Sequence, residues 1–449
     1  MTAITLNVVK PAAHPAAARG VSWLDSPYRL LIRTSLALGV GAGFSLGLYL
    51  LLGFAFGWPL SAATPAFMQV HGQVQVFGFL VMFIMAVGVQ LFPRFHASRL
   101  DRPAQVSGGG LLLATGVVLR AIAQPLPTDA AIRPGVLLLS GVLTLVGVGL
   151  VVHAFARVIR GGVGPAPTGW RALLPATLGA SLILALILNL AACMQLAQGA
   201  IVVPFAQDEA LIHVELWGFA STMVLAVSGR VFPKFLLLQP TRDGLIRPAL
   251  VLWALGSIGS PAVWLLLEGA PAARTLTALA QLVAAVLFVA GLRLYEFPAR
   301  ASGTPYVTNP TRRWARLAFA MLLVAAAANL GIATAEVLGV TTTLTELSAA
   351  RHLLVQGFLL PLIVLMAARI LPGYSGYMLH RSRLLGALVW SLLIGAVLRG
   401  GAELVGGYSP GWSVLVALGG TLAVVAFIAF AGGLWRSTGP TSVAVAQRR

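Results

Sequence analysis

The chain has 449 residues, of which 58% are hydrophobic and 9% charged, with 30 Lys+Arg against 12 Asp+Glu. So little charge excludes an ordinary soluble protein, where about a quarter of residues are charged. The basic excess then points to loops that obey the positive-inside rule rather than to nucleic acid. The single cysteine, Cys193, lies in an apolar run and excludes both an internal disulfide and a paired-cysteine metal site.

Residues 1–28 lack a short apolar region ending in a cleavage motif and read as a cytosolic tail. Apolar runs of about 20 residues follow along the whole chain, the length a membrane-crossing helix requires. They predict spans near 31–56, 66–93, 104–124, 135–158, 172–196, 209–235, 246–268, 274–296, 315–338, 346–372, 382–403 and 412–435. Connections after even-numbered spans carry most of the bases: Arg94, Arg99 and Arg102, then Arg157, Arg160 and Arg171, then Lys234, Arg242 and Arg247, then Arg300, Arg312, Arg313 and Arg316, then Arg381 and Arg383. Connections after odd-numbered spans carry Asp129, Asp208, Glu209 and Glu346 with few bases. The expectation from this bias is that both termini are cytosolic.

One pattern returns three times. His71 precedes Gly78-Phe79 and Pro93, His213 precedes Gly218-Phe219 and Pro233, and His352 precedes Gly357-Phe358 and Pro372. The glycines are 140 and 139 residues apart (218−78, 357−218), and each Pro follows its Gly by 15 (93−78, 233−218, 372−357). Asn189 and Asn329 repeat at 140, and Val118-Leu119-Arg120 returns as Val397-Leu398-Arg399 at 279. The predicted fold is therefore an all-α polytopic membrane protein of twelve transmembrane helices in three parallel four-helix repeats with pseudo-threefold arrangement. The repeats are assigned to 29–165, 166–305 and 306–436, with a C-terminal cytosolic tail over 437–449. Gly39, Gly43 and Gly47 form a face of small residues in span one, read as a helix-packing surface.

His71, His213 and His352 fall in the first turns of spans two, six and ten, at similar depth. An imidazole there is costly without a partner, and neutral imidazole is a ligand for haem iron and copper. The competing reading is a polar residue bonded to a neighbouring carbonyl. His213 and His352 lie five residues before Gly, whereas His71 lies seven before and Gln73 takes the equivalent place. Two residues turn a helical side chain by about 200°. Separate jobs follow, such as two histidines on one centre and the third on another. Arg120 and Arg399 lie on the same side near the ends of spans three and eleven, as candidate clamps for haem propionates or as snorkelling side chains. Arg230 and Arg369 read as anchors at the opposite surface, and His14, His96, His153 and His380 as outside the site.

The segment around His71, with Phe77-Gly78-Phe79 and Pro93, resembles the second span of the NnrS family of haem- and copper-containing membrane proteins, with Gln73 in place of that family's second His. His352, Gly357, Arg369 and the run Leu371-Pro372-Gly373-Tyr374-Ser375-Gly376 resemble its later His-Gly-Arg element, with Tyr374 where a second His would stand. The layout is also similar to subunit I of the haem-copper oxidases and nitric-oxide reductases. There spans two and ten supply the axial pair of a low-spin haem, matching His71 and His352. Span six supplies a copper ligand from a motif similar to His213-Val214-Glu215-Leu216. Span seven here has no His, and span ten has one, so a complete oxygen-reducing centre is not expected.

The resemblance implies a haem protein of the bacterial inner membrane associated with nitric oxide or nitrosative stress, haem-copper if His213 holds a second metal with Glu215 behind it. The implied partners are the lipid bilayer, nitric oxide or another diatomic, and an electron-transfer protein, with no nucleic acid. Turnover is left open. The alternatives are a degenerate haem-copper oxidoreductase and a metal-free transporter whose histidines and arginines line a polar path.

Overall fold

The computed structural model describes residues 26–163, 172–297, 309–371 and 382–438. Within them run twelve helices long and apolar enough to cross a membrane: α1 Pro27–Phe56, α2 Thr64–Phe95, α3 Pro103–Ala123, α4 Arg133–Arg160, α5 Leu173–Ala197, α6 Phe205–Phe235, α7 Asp243–Leu266, α8 Pro271–Leu292, α9 Pro310–Val337, α10 Leu344–Ala368, α11 Leu384–Val405 and α12 Trp412–Arg436. Their lengths of 21 to 32 residues and mean hydropathies of 1.6 to 2.5 meet what a bilayer core demands. The chain is an all-helical, multi-pass membrane protein.

Helix ends follow local chemistry. Proline in the first turn opens α1, α2, α3, α4 and α8, where a missing N–H costs nothing. Gly57 ends α1 at φ +64°, a conformation that favours glycine. Thr343 and Glu346 form a capping box ahead of α10. Pro93 and Pro233 lie in the last turns of α2 and α6, and Pro372 falls outside the described residues. The two ends of the described chain lie close together, where Arg33 Nε donates to Thr438 Oγ1 at 3.2 Å.

Three helices form the interior. The apolar windows of α2, α6 and α10 are 72%, 67% and 72% buried, against 39–56% in the other nine. The helices α3 and α4, α7 and α8, and α11 and α12 pack around them as close pairs. Small residues permit the approach. A Cβ on Gly116 would lie 2.8 Å from Ser140 O, and one on Gly395 would lie 2.6 Å from Gly419 O.

The sequence predicts regular α-helix throughout these spans, and the structure departs from that. Widened π-helical turns occupy Gly39–Phe44 of α1, Val74–Val81 of α2, Val214–Ser221 of α6 and Val355–Leu359 of α10. The last three each contain the Gly of a Gly-Phe pair. A Cβ on Gly218 would meet Ser181 Oγ at 2.6 Å, and one on Gly357 would meet Met321 Cε at 2.8 Å. Phe79, Phe219 and Phe358 are buried beside them. Gly-Phe is thus a packing device, and π turns of this kind recur at functional sites.

Candidate functional site

His71 is held from a neighbouring helix. Its Nδ1 lies 2.8 Å from Gly43 O, a carbonyl inside the widened turn of α1. A carbonyl only accepts, so Nδ1 carries the proton and donates. One turn on, the ring rests against Gly47, whose Cβ, if present, would fall 2.8 Å from Nδ1 and 3.0 Å from Nε2. The Gly39-Gly43-Gly47 face therefore does more than pack helices. It supplies both the acceptor and the space that fix an imidazole.

His352 is held by its own helix. Nδ1 lies 2.8 Å from Ser348 O and 3.0 Å from Ser348 Oγ, so it too is protonated at Nδ1. Behind it stands Glu403 of α11, Oε2 3.6 Å from Nδ1. Arg399, one turn earlier, donates from Nε to Glu403 Oε1 at 3.1 Å, and Tyr408 OH donates to the same oxygen at 3.4 Å. Among the described residues neither Nε2, of His71 or of His352, takes part in a hydrogen bond.

Both imidazoles line one cavity of about 460 Å³, within the size range of small-molecule and cofactor sites. Arg399 and Arg120 reach the same space. Arg120 is fully buried, donating from Nε to Gln124 Oε1 at 3.0 Å and from Nη1 to Asn189 Oδ1 at 2.7 Å. Gln124 passes the chain on to Gln69 Oε1 at 2.8 Å, and Gln69 bonds both backbone groups of Val203. Two buried groups that line the cavity lack any protein partner, the Gln73 amide and Glu215 Oε1. An orphaned buried polar atom facing a cavity calls for a bound group or water.

His213 stands apart. It does not border the large cavity but a neighbouring one of about 40 Å³. Gln281 donates its amide to Nε2 at 3.0 Å, and Nδ1 lies 3.3 Å from Ser260 Oγ. Trp217 stacks on the ring at 6.1 Å and 21°. Both nitrogens are therefore occupied, by groups that are not metal ligands. Between the two cavities lies Arg351, ion-paired with Glu209 and bordering both.

Of the residues singled out in the sequence, the fold thus gathers His71, His352, Arg120, Arg399 and Glu215 at one cavity and turns His213 away from it. Arg230 lies away from the cavity, its guanidinium 4.3 Å over the Phe95 ring. Side-chain placement at Arg369 and the run from Pro372 to Gly376 lie outside the described residues. Sequence reasoning missed Glu403 and Arg351, and it noted Gln73 only as standing in the place of a His. For Glu403 a cue existed, an acid four residues after Arg399 on one helix face. Among the described residues no three His, Cys, Asp or Glu side chains gather closely enough to hold a metal ion by themselves.

No family model matches the chain by sequence, and no curated protein does. Its architecture is similar to that of a heme-copper terminal oxidase dimer solved by cryo-EM, at a TM-score of 0.68 and 14% identity, over 92% of this chain and 84% of that one. At that identity the likeness is one of fold. The chain has a haem-copper-oxidase-like membrane architecture.

Proposed function

We propose that the chain is a membrane haem protein whose iron is held between Nε2 of His71 and Nε2 of His352. One observation carries the reading: both imidazoles face one cavity with Nδ1–H committed to a backbone carbonyl, which leaves each Nε2 lone pair unengaged. Metal-bound histidines adopt this tautomer, because the outer hydrogen bond orients the ring and raises its basicity. The likeness to an oxidase fold and the cavity size support the same conclusion. A haem in this place supplies one-electron exchange at iron.

The chain's own residues do the rest. Gly43 O and Ser348 O orient the rings. Arg399 and Arg120 bring guanidinium groups to the cavity that suit propionates, with Arg120 Nη2 outside the bonds to Gln124 and Asn189. The orphaned Gln73 amide and Glu215 oxygen are further polar contacts for a bound group. The surroundings of His213 do not fit copper, since Gln281 and Ser260 occupy its nitrogens. This weighs against a haem-copper centre and for a single haem site.

The finer role, a response to nitric oxide at the bacterial inner membrane with electrons from a partner protein, follows from the resemblance around His71 and His352. Three parallel four-helix repeats are supported by the π turns at 74–81 and 214–221, offset by 140 (214−74, 221−81), and by the inner position of α2, α6 and α10. The deciding experiment is an absorbance spectrum with metal analysis of purified protein. Haem bands in wild type that are lost in His71→Ala and in His352→Ala are expected. Wild-type protein free of haem, or haem retained in both variants, overturns the reading.

A further inference from the structure

Two helices carry the same pair of side chains. Arg120 Nε donates to Gln124 Oε1 at 3.0 Å in α3, and Arg399 Nε donates to Glu403 Oε1 at 3.1 Å in α11. The two pairs are offset by 279 residues at both members (399−120, 403−124). They differ in one respect. The α3 pair ends in an amide that passes its hydrogen bond to Gln69, while the α11 pair ends in a carboxylate behind an imidazole.

A glutamine suffices to hold the arginine in α3, so holding Arg399 does not by itself require an acid in α11. Glu403 is 1% exposed, and burying a carboxylate costs more than burying an amide. Its Oε1 receives both Arg399 and Tyr408. Its Oε2 receives no hydrogen bond and stands 3.6 Å from His352 Nδ1, too far for a hydrogen bond yet close for a charge. The negative charge is thus aimed at the edge of His352 opposite its unengaged Nε2, with the guanidinium on the carboxylate's other oxygen.

We infer that Glu403 is a positioning residue that lowers the reduction potential of an iron bound at His352 Nε2. The inference rests on the haem reading above. A buried negative charge beside a ligating imidazole favours the oxidised iron, which carries one more positive charge than the reduced. No covalent step is involved.

The test is an equilibrium redox titration of the purified full chain, followed by its haem absorbance, for wild type, Glu403→Gln and Glu403→Asp. Glu403→Gln keeps the haem and titrates at higher potential. Its oxidised-to-reduced ratio at fixed ambient potential falls at least tenfold, or about 59 mV for one electron. Glu403→Asp, which retains the charge farther from His352, falls between the two. A midpoint unchanged or lowered in Glu403→Gln overturns the inference and leaves the haem reading standing. Should that variant fail to accumulate or to hold haem, an unchanged or lowered midpoint in Glu403→Asp overturns it equally. Wild-type protein without haem absorbance overturns both, and does so before any variant is measured.

Discussion

His71 Nδ1 donates to Gly43 O across 2.8 Å, so the orientation of an imidazole on α2 is set by a carbonyl of α1. That bond needs Gly47 as well, because a methyl group there would stand 2.8 Å from Nδ1. Gly47→Ala is expected to swing the ring away from Gly43 while leaving the apolar span intact. Disturbing such an outer contact typically costs about 10- to 100-fold in metal affinity. The haem-to-protein ratio of detergent-purified Gly47→Ala should fall accordingly. Full occupancy with an unchanged spectrum would show that His71 is not held in this orientation when loaded.

His213 gives the opposite expectation. With Gln281 on one nitrogen and Ser260 on the other, its replacement removes two buried hydrogen bonds. His213→Ala should lower stability by about 1–3 kcal/mol and leave the haem spectrum and the copper content as in wild type. Thermal unfolding in detergent and metal analysis read the two effects separately. Copper bound to wild type and lost from this variant would restore His213 as a ligand.

The all-helical, twelve-span layout was legible in the sequence, because apolar runs of about 20 residues encode span number directly. The site was legible only in part. Helix period places His71 on a different face from His213 and His352, yet it cannot say which faces converge. His71 and His352 meet at one cavity although they differ in register, and His213 and His352 share register yet part. What decides this is tertiary. The tautomers depend on Gly43 of another helix and on Ser348 of the same one, and the engagement of His213 depends on α7 and α8. The π turns were invisible as well, since one extra residue in a turn leaves hydropathy unchanged.

Arg120 ties three helices through Gln124, Asn189 and the Gln69–Val203 link. Arg120→Ala would leave Gln124 Oε1 and Asn189 Oδ1 buried without that donor. Each orphaned acceptor costs about 1–3 kcal/mol, so a loss of about 3 kcal/mol is expected in the detergent denaturation midpoint. Arg120→Lys carries a point charge rather than a fork and should recover less than half of it. A loss below about 1 kcal/mol in the alanine variant would mean that water replaces the guanidinium.

Glu296, beyond the end of α8, accepts from Arg293 Nε at 2.7 Å and pairs with Arg242 at 3.0 Å. Hydrogen bonds from Arg293, with the charge of Arg242, hold its carboxyl below the ordinary range. A carboxyl depressed in the folded state stabilises it above the unfolded value of about 4.3. That contribution is lost as pH falls through the folded value. The thermal midpoint of wild type should therefore drop more steeply than that of Glu296→Gln below about pH 4.5. The effect is small because the clamp is solvent-exposed. Identical slopes in the two proteins would mean that the clamp adds nothing.

Arg351 and Glu209 form an ion pair in the wall between the two cavities, with side chains 24% and 8% exposed. Removing one member of a buried pair strands the other charge, at a cost of about 3–5 kcal/mol. Removing both strands neither. Arg351→Gln and Glu209→Gln are each expected to lower the unfolding midpoint strongly, and the double variant to recover most of the loss. The coupling from such a cycle should exceed about 2 kcal/mol, well above the additive error of distant sites. Because Arg351 stands beside His352 in the chain, haem retention in the double variant carries its own meaning. Retained haem makes the pair a structural wall, whereas haem lost while stability recovers would make Arg351 a contact of the bound group. Single variants no less stable than wild type would mean that water in the 40 Å³ cavity already screens the charges.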